Sequence, residues 1–277
     1  MLARRRRPTH KPCFAEDSRD ARSASRVNSC AIRSGRGALA LVFAVAVAFG
    51  GRALAGPPYV TDDPEPTDYQ HYEIYLFSNG SHARDGISGA SGIDFNYGAG
   101  HDLQLTAVLP FAFDGPRGGE RAAAIGNIEL AAKYRFAHKE DVGWDIAVFP
   151  RLFLPSSSAH AGEKHFSLLL PIWLGKDWDQ WSTFGGGGCQ INRGGDSKDF
   201  CLAGWALTRQ VSEHLQLGGE IVHQTADTKG ANSSTQIGAG LRYDLSDRYH
   251  VLGYIGPSIQ NVGNDEYAWY TSFLFTF

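Results

Sequence analysis

The stretch His101-Asp102-Leu103-Gln104-Leu105-Thr106-Ala107-Val108-Leu109-Pro110-Phe111-Ala112-Phe113 decides the fold. From Leu103 its odd positions read Leu, Leu, Ala, Leu, Phe, Phe, while the even ones include Asp102, Gln104 and Thr106. Successive side chains of a strand point to opposite faces, so a period of two makes a ribbon with one apolar and one polar face. A helical period does not sort these residues in that way.

The same alternation recurs along the chain. At 127–136, Ile128, Leu130, Ala132, Tyr134 and Phe136 oppose Asn127, Glu129, Lys133 and Arg135. At 144–154, Trp144, Ile146, Val148, Leu152 and Leu154 oppose Asp145 and Arg151, and at 215–224 Leu215, Leu217 and Ile221 oppose Gln216, Glu220 and Gln224. Weaker copies lie at 69–78, 91–97, 165–175, 180–191, 199–210, 234–243, 249–259 and 266–277, which brings the set to twelve. A ten-residue strand rises about 33 Å, and tilted by roughly 40° it spans about 25 Å, the height of the apolar band of an outer-membrane barrel.

Connection lengths test this reading independently, because such barrels alternate short periplasmic turns with longer external loops. The longer connections, rich in Gly, Ser and charge, fall near 79–90, 114–124, 155–164, 192–198, 225–233 and 260–265; the short ones fall near 98–101, 137–142, 176–179, 211–214 and 244–248. With the N-terminus in the periplasm, every long connection lies outside. The fold expected is all-β: a transmembrane antiparallel up-and-down β-barrel of about 12 strands spanning 69–277. Tyr69, Tyr97, Trp144, Trp181, Tyr243, Tyr267 and Trp269 stand at strand ends, where aromatic girdles sit.

Composition agrees. The 277 residues hold 33 Gly, 16 Phe, 11 Tyr and 6 Trp but a single Met, a bias toward strand and turn formers. The net charge of −3 hides a split: residues 1–55 carry 11 Lys+Arg against 3 Asp+Glu, and residues 56–277 carry 15 against 26. An acidic body argues against nucleic-acid binding, although Arg4 to Arg7 alone could be read as a nucleic-acid arm.

Residues 38–49 form an apolar run preceded by Arg33 and Arg36 and followed by Ala53-Leu54-Ala55, the pattern of a secretory signal peptide cleaved after Ala55. The run is shorter than the roughly 20 residues that cross a bilayer as a helix. The long region before it suggests a downstream translation start, with Val27 a candidate, and no twin-arginine pattern follows the Arg run. Bacterial outer membrane is the expected location, with lipid and lipopolysaccharide against the outer face. Residues 56–68 are expected to form a periplasmic N-terminal arm.

The final strand places Tyr267, Trp269, Phe273, Phe275 and Phe277 on one face and ends on Phe277. Alternating aromatics with a terminal Phe resemble the signal read by the barrel-assembly machinery, for which Phe273, Phe275 and Phe277 are the candidates. Cys189 and Cys201 are equidistant from residue 195, the middle of an external loop, so a symmetric hairpin sets them opposite each other. In an oxidising envelope that geometry predicts a disulfide; the alternative is two small free thiols.

Charge facing lipid at mid-depth costs about 2–4 kcal/mol for Arg or Lys, which forces Asp94, Asn96, Gln104, Glu129, Lys133, Arg135, Asp145, Arg151, Glu220, Gln224 and Arg242 into the lumen. There they either line a narrow wet pore or neutralise one another in a plugged barrel. If the lumen conducts, the acidic excess predicts cation preference. Thr61-Asp62-Asp63-Pro64-Glu65-Pro66 suits a stiff arm; it could also fold back as a plug or bind calcium, but its spacing matches no EF-hand loop. No cofactor or metal-site spacing is evident, and Gly185 to Gly188 has no following Lys or helix for a phosphate. His223 and Asp227 beside serine-rich loops invite a hydrolase reading, yet no serine–histidine motif accompanies them and no enzyme activity is expected.

Four stretches carry a family resemblance: Gly-Pro-Pro-Tyr-Val-Thr-Asp-Asp-Pro-Glu-Pro at 56–66; Leu-Pro-Ile-Trp-Leu-Gly-Lys-Asp-Trp at 170–178 with Trp181; Ala-Gly-Trp-Ala-Leu-Thr-Arg-Gln-Val at 203–211; and Leu-Gly-Gly-Glu-Ile-Val-His-Gln-Thr at 217–225. Over essentially all of 56–277 the chain resembles the outer-membrane transporter family named for the MetA-pathway of phenol degradation. That resemblance implies a barrel that passes or binds small molecules, hydrophobic or aromatic ones among them. The alternative is a non-conducting envelope barrel, and an enzyme comes third.

Overall fold

The computed structural model describes residues 58–155, 165–193, 197–260 and 266–277. The expected signal peptide at 1–55, the Val27 start, residues 56–57 of the arm and parts of three external connections (156–164, 194–196, 261–265) lie outside the described residues.

The strands are β1 (Tyr72–Ala83), β2 (Gly86–Gly100), β3 (Leu103–Pro116), β4 (Ala122–Ile125 and Ile128–Ala137), β5 (Asp145–Val148 and Arg151–Leu154) and β6 (Ser167–Trp178). They continue as β7 (Trp181–Asn192), β8 (Phe200–Gln210), β9 (Leu215–Gln224), β10 (Ser234–Ser246), β11 (Tyr249–Pro257) and β12 (Tyr267–Thr276). One helical turn, α1 (Lys139–Val142), sits between β4 and β5, and no helix among the described residues is long and apolar enough to cross a membrane.

Each strand pairs antiparallel with the next, and β12 returns to β1 with Thr276 opposite Glu73 and Tyr267 opposite His82. The seam is completed by the chain end: Tyr72 N donates to Phe277 O at 3.1 Å and Phe277 N to Tyr72 O at 3.0 Å. Closure is obligatory in hydrocarbon, where an open edge would leave a row of backbone groups without partners. The result is a twelve-strand ring.

Two strands are interrupted without breaking it. In β5 the gap falls at Phe149-Pro150, where proline has no N–H to give, yet the ladder resumes in the same register, with Val148 opposite Ile172 and Arg151 opposite Leu169. In β4 the gap falls at Gly126-Asn127, and the register against β3 slips by one residue, from Phe111 opposite Ile125 to Val108 opposite Glu129. That is the signature of a bulge.

One connection differs from expectation. The external loop anticipated at 79–90 is a two-residue turn, Arg84-Asp85, because β1 and β2 run on above it. Ser78 faces Ser91 with their hydroxyls 2.7 Å apart, and Gly80 faces Gly89. Backbone ladders form as well between small residues as between large ones, so loop-like composition here marks a strand region that has left the apolar band.

The outward face carries Leu76, Ile93, Leu105, Leu109, Leu130, Ile172, Leu217, Ile221 and Ile255, all substantially exposed as lipid contacts require. Near the periplasmic rim Tyr72 stacks on Tyr97 at 4.8 Å between centroids, and Phe273 lies 4.8 Å from Phe275, a partial girdle. Phe277 is exposed on the same rim. The inward face is more mixed than the sequence pattern indicates. Trp173, Phe184, Leu252 and Leu274 are among its most buried side chains, on strands whose alternation is weak. They pack inside the ring rather than in lipid.

Candidate functional site

The lumen is occupied on one side by the segment that precedes β1. Residues 68–71 form a turn at the periplasmic rim, with His71 N donating to Asp68 O at 2.9 Å and Gln70 N to Gly98 O at 2.8 Å, and Gln70 adopts φ 64°. From this turn the chain runs back into the barrel. Thr67 N donates to Gln104 Oε1 at 2.8 Å, and Lys133 Nζ donates to Asp62 Oδ1 at 3.0 Å and to the Glu65 carbonyl at 3.3 Å. Farther along, Val60 N and Thr61 N both donate to the Glu220 carboxylate at 3.0 Å. Gln104, Lys133 and Glu220 are each about 95% buried on inward faces, so the arm expected in the periplasm is seated in the lumen over its described part. Of the readings open for Thr61 to Pro66, these contacts belong to the fold-back.

The bed beneath the arm is made by missing side chains. A Cβ on Gly240 of β10 would come 2.8 Å from the Tyr59 ring, one on Gly175 of β6 2.8 Å from Pro64, and one on Gly218 of β9 would run into the Tyr59 hydroxyl. A Cβ on Gly204 of β8 would run into the Thr61 hydroxyl. Tyr59 is held edge-on between Phe184 at 5.9 Å and Tyr254 at 6.0 Å, a geometry aromatic quadrupoles favour.

Burial sets the electrostatics of the arm. It pushes the Asp63 carboxyl up to about 7 against the pull of Lys133, 3.6 Å away. Glu65 is raised for the same reason, with Asp177 adding to the effect. Burial and the nearby Glu220 carboxylate raise the Tyr59 phenol. A buried carboxylate is stable in a dry setting only when paired and hydrogen-bonded, and Lys133 supplies that pairing for Asp62 and Asp63.

Beside the arm a cavity of about 800 Å³ extends to the periplasmic rim, bounded by the arm from Asp62 to Asp68 on one side and mainly by β1–β5 and β10–β12 on the other. Ten of its lining side chains are carboxylates and four are Lys or Arg. Seven of the residues expected to face the lumen meet here: Asp94, Asn96, Gln104, Glu129, Lys133, Arg151 and Arg242. Arg151 grips Glu129 with two bonds, of 2.6 and 2.9 Å, and Arg242 Nε reaches Asp244 at 2.9 Å. Gln104 Nε2 donates to Asn96 Oδ1 at 2.7 Å, and Asn96 Nδ2 to Asp94 Oδ1 at 3.0 Å.

The other four stand elsewhere. Glu220 lies under the arm. Arg135 and Asp145 sit 3.8 Å apart near the β4–β5 turn, with Arg135 also bonded to Asp102 at 3.1 Å. Gln224 lies near the external end, donating to Asp227 at 3.1 Å. Glu73 and Tyr75 of β1 and Tyr59 of the arm also belong to the site, though none is among the residues expected from the strand alternation. Glu73 is recoverable from its place two residues before Tyr75 in β1, whereas nothing local marks Tyr59.

Outside the lumen, Cys189 of β7 and Cys201 of β8 are directly paired, 3.9 Å between Cα atoms, and are joined by a disulfide on the outward face near the external end. His138, Glu140 and Asp145 gather at the β4–β5 turn with ligand-type atoms within 4.8 Å of one another. Asp145 is already engaged there, accepting from Lys139 N at 3.2 Å. His223 is exposed on β9, with Nδ1 2.8 Å from the Thr235 hydroxyl.

Among solved structures, an outer membrane channel from Pseudomonas putida F1 is similar with a TM-score of 0.64 at 13% identity, covering 81% of this chain and 100% of that one. The NanC porin is similar with a TM-score of 0.52 at 8% identity, covering 73% of this chain and 98% of that one. At these identities the likeness is one of fold. No curated protein matches the chain. Residues 74–265 match the family described as "Putative MetA-pathway of phenol degradation". The match runs over most of the chain and over most of the ring described above, and the protein belongs to that family of outer-membrane β-barrels.

Proposed function

We propose that this barrel is a channel that passes small molecules across the outer membrane, with the arm seated in its lumen narrowing the path. The observation that carries this reading is the 800 Å³ cavity inside a closed ring, reaching the periplasmic rim and lined largely by polar and charged groups. A barrel needed only as an envelope strut gains nothing from holding buried charge around a water-sized space, because each such group costs desolvation free energy. The family's association with phenol degradation supports small aromatic compounds among the solutes. Transport of this kind uses no catalytic group. Assembly by the barrel-assembly machinery through Phe273, Phe275 and Phe277, and an external leaflet of lipopolysaccharide around the outer half, belong to the same proposal.

The test is single-channel recording of the purified full chain in planar bilayers. Discrete current steps are expected, and liposomes containing the protein should swell in solutions of small neutral aromatics such as phenol. Flat traces together with no swelling would leave the envelope-barrel reading in its place.

A further inference from the structure

The charges around the cavity do not cancel evenly. Lys133 is taken up by Asp62 and Asp63 of the arm, Arg151 by Glu129 and Arg242 by Asp244. On the opposite wall, Glu73 of β1 accepts from the Tyr75 hydroxyl at 3.0 Å, and Asp94 of β2 accepts from the Asn96 amide at 3.0 Å. Both partners are neutral. Among the described residues neither carboxylate comes within ion-pair distance of a cation, although the Arg151 charge reaches Asp94 and Glu73 acts on Lys133 through space, and both line the cavity together with the arm. In the β1–β2 ladder Tyr75 lies directly opposite Asp94 and Glu73 opposite Asn96, so Glu73 and Asp94 are diagonal neighbours on adjacent strands, two residues apart in depth.

Resting on the channel reading, we infer that the slot between the arm and the β1–β2 wall is the selective part of the path and that it admits cations, inorganic ones and small protonated amines. Glu73 and Asp94 are its specificity-determining residues. An excess of charge of one sign on low-dielectric walls, here ten carboxylates against four Lys or Arg, focuses the field into the gap and raises the local concentration of counter-ions. Charged side chains around a constriction are a general means of ion selection. The arm supplies the opposite wall, and Lys133 keeps it there. Net charge alone would give a diffuse preference, whereas this arrangement assigns it to two side chains.

The experiment uses the full chain in planar bilayers under an asymmetric KCl gradient. Wild type should show a reversal potential on the cation side. In Glu73→Gln with Asp94→Asn the cation-to-anion permeability ratio should fall about tenfold, the lower end of what focused fields achieve. Because the double variant could fail to fold, lanthanum chloride is also added to wild type from the periplasmic side, where block of the current at low concentration is expected. Steps with an unchanged ratio in the folded variant, an anion-selective wild type, or no lanthanum block would each overturn this inference alone. Traces without any steps would overturn the channel reading, and this inference with it.

Discussion

Lys133 on β4 places its ammonium 3.0 Å from the carboxylate of Asp62, a residue 71 positions earlier in the chain. The ammonium is also 3.6 Å from Asp63, and the Lys133 side chain is almost wholly buried. A pre-barrel segment is thereby tied to the lumen wall, toward its periplasmic side, by a charge pair. Its loss should be felt there rather than in the hydrogen-bonded ring.

Lys133→Met removes the cation and strands two arm carboxylates. Breaking one side of a buried ion pair costs about 3–5 kcal/mol, here charged against the seated arm. The expected outcome is protease cleavage within 58–67 in a barrel that keeps its heat-modifiable migration, together with larger and noisier current steps. Protection of the arm equal to wild type would show that Lys133 is not what holds it.

The glycine bed makes a second claim. Gly240→Val puts side-chain atoms where the Tyr59 ring lies, since even a Cβ would come within 2.8 Å. Overpacking of this kind costs about 1–3 kcal/mol unless the neighbour moves, and the arm is the part able to move. Gly253→Ala on β11 is the control, because its Cβ meets only Leu241 at 3.8 Å. Proteolysis of the arm should separate the two variants, while their thermal unfolding should be close.

Leu130 faces lipid near mid-strand and is 45% exposed on the outer wall. Leu130→Arg should destabilise the barrel by about 2–4 kcal/mol in denaturant titrations into lipid vesicles. Val108→Lys, on the inward face of the neighbouring strand and directly opposite Asp94 and Glu129, should cost less barrel stability. An equal loss in both would contradict the inside–outside assignment.

The Cys189–Cys201 bridge closes a separation of 12 residues. Chain-entropy reasoning gives about 3 kcal/mol for a loop of this size. Continuous pairing of β7 with β8 already restrains it, so reduction should lower stability by less than that and leave conductance unchanged. Non-reducing mass spectrometry of envelope-purified protein should show the linked peptides, and two free thiols there would refute the bridge.

The arm's acidity gives a pH dependence. Asp63 has its carboxyl raised from 3.8 to about 7 by burial, so the seated arm binds more protons than a released one. By linkage its seating is tightest near the ordinary carboxylate value, weakens as pH rises through the interval up to about 7, and levels off above that. Hydrogen exchange of the 58–67 amides should therefore show larger protection factors at pH 5 than at pH 8. Equal factors, or the reverse order, would exclude control by Asp63.

Much of the ring was legible because lipid imposes a local rule. The odd residues of 103–113 had to be apolar and Gln104 and Thr106 had to turn inward, whatever strand lay beside them. The connection at 79–90 misled because small residues in β1 and β2 look like a loop while their backbones pair normally. Trp173, Phe184 and Leu252 escaped the pattern because the lumen, unlike water, also accepts apolar groups that pack against one another.

The arm was legible only as a short list of options. Its acids and prolines are compatible with solvent, with a cation or with the lumen. The partners that decide among these, Lys133 and Glu220, stand 71 residues from Asp62 and 159 from Thr61.

By itself the sequence determined a two-faced strand repeated twelve times and an even, closed ring, since in hydrocarbon every backbone amide must find a partner within the protein. The tertiary structure alone decided what fills that ring. Four glycines on β6, β8, β9 and β10 become one bed, and Glu73 and Asp94 come to line one cavity with the arm, only when closure brings distant strands around a common space.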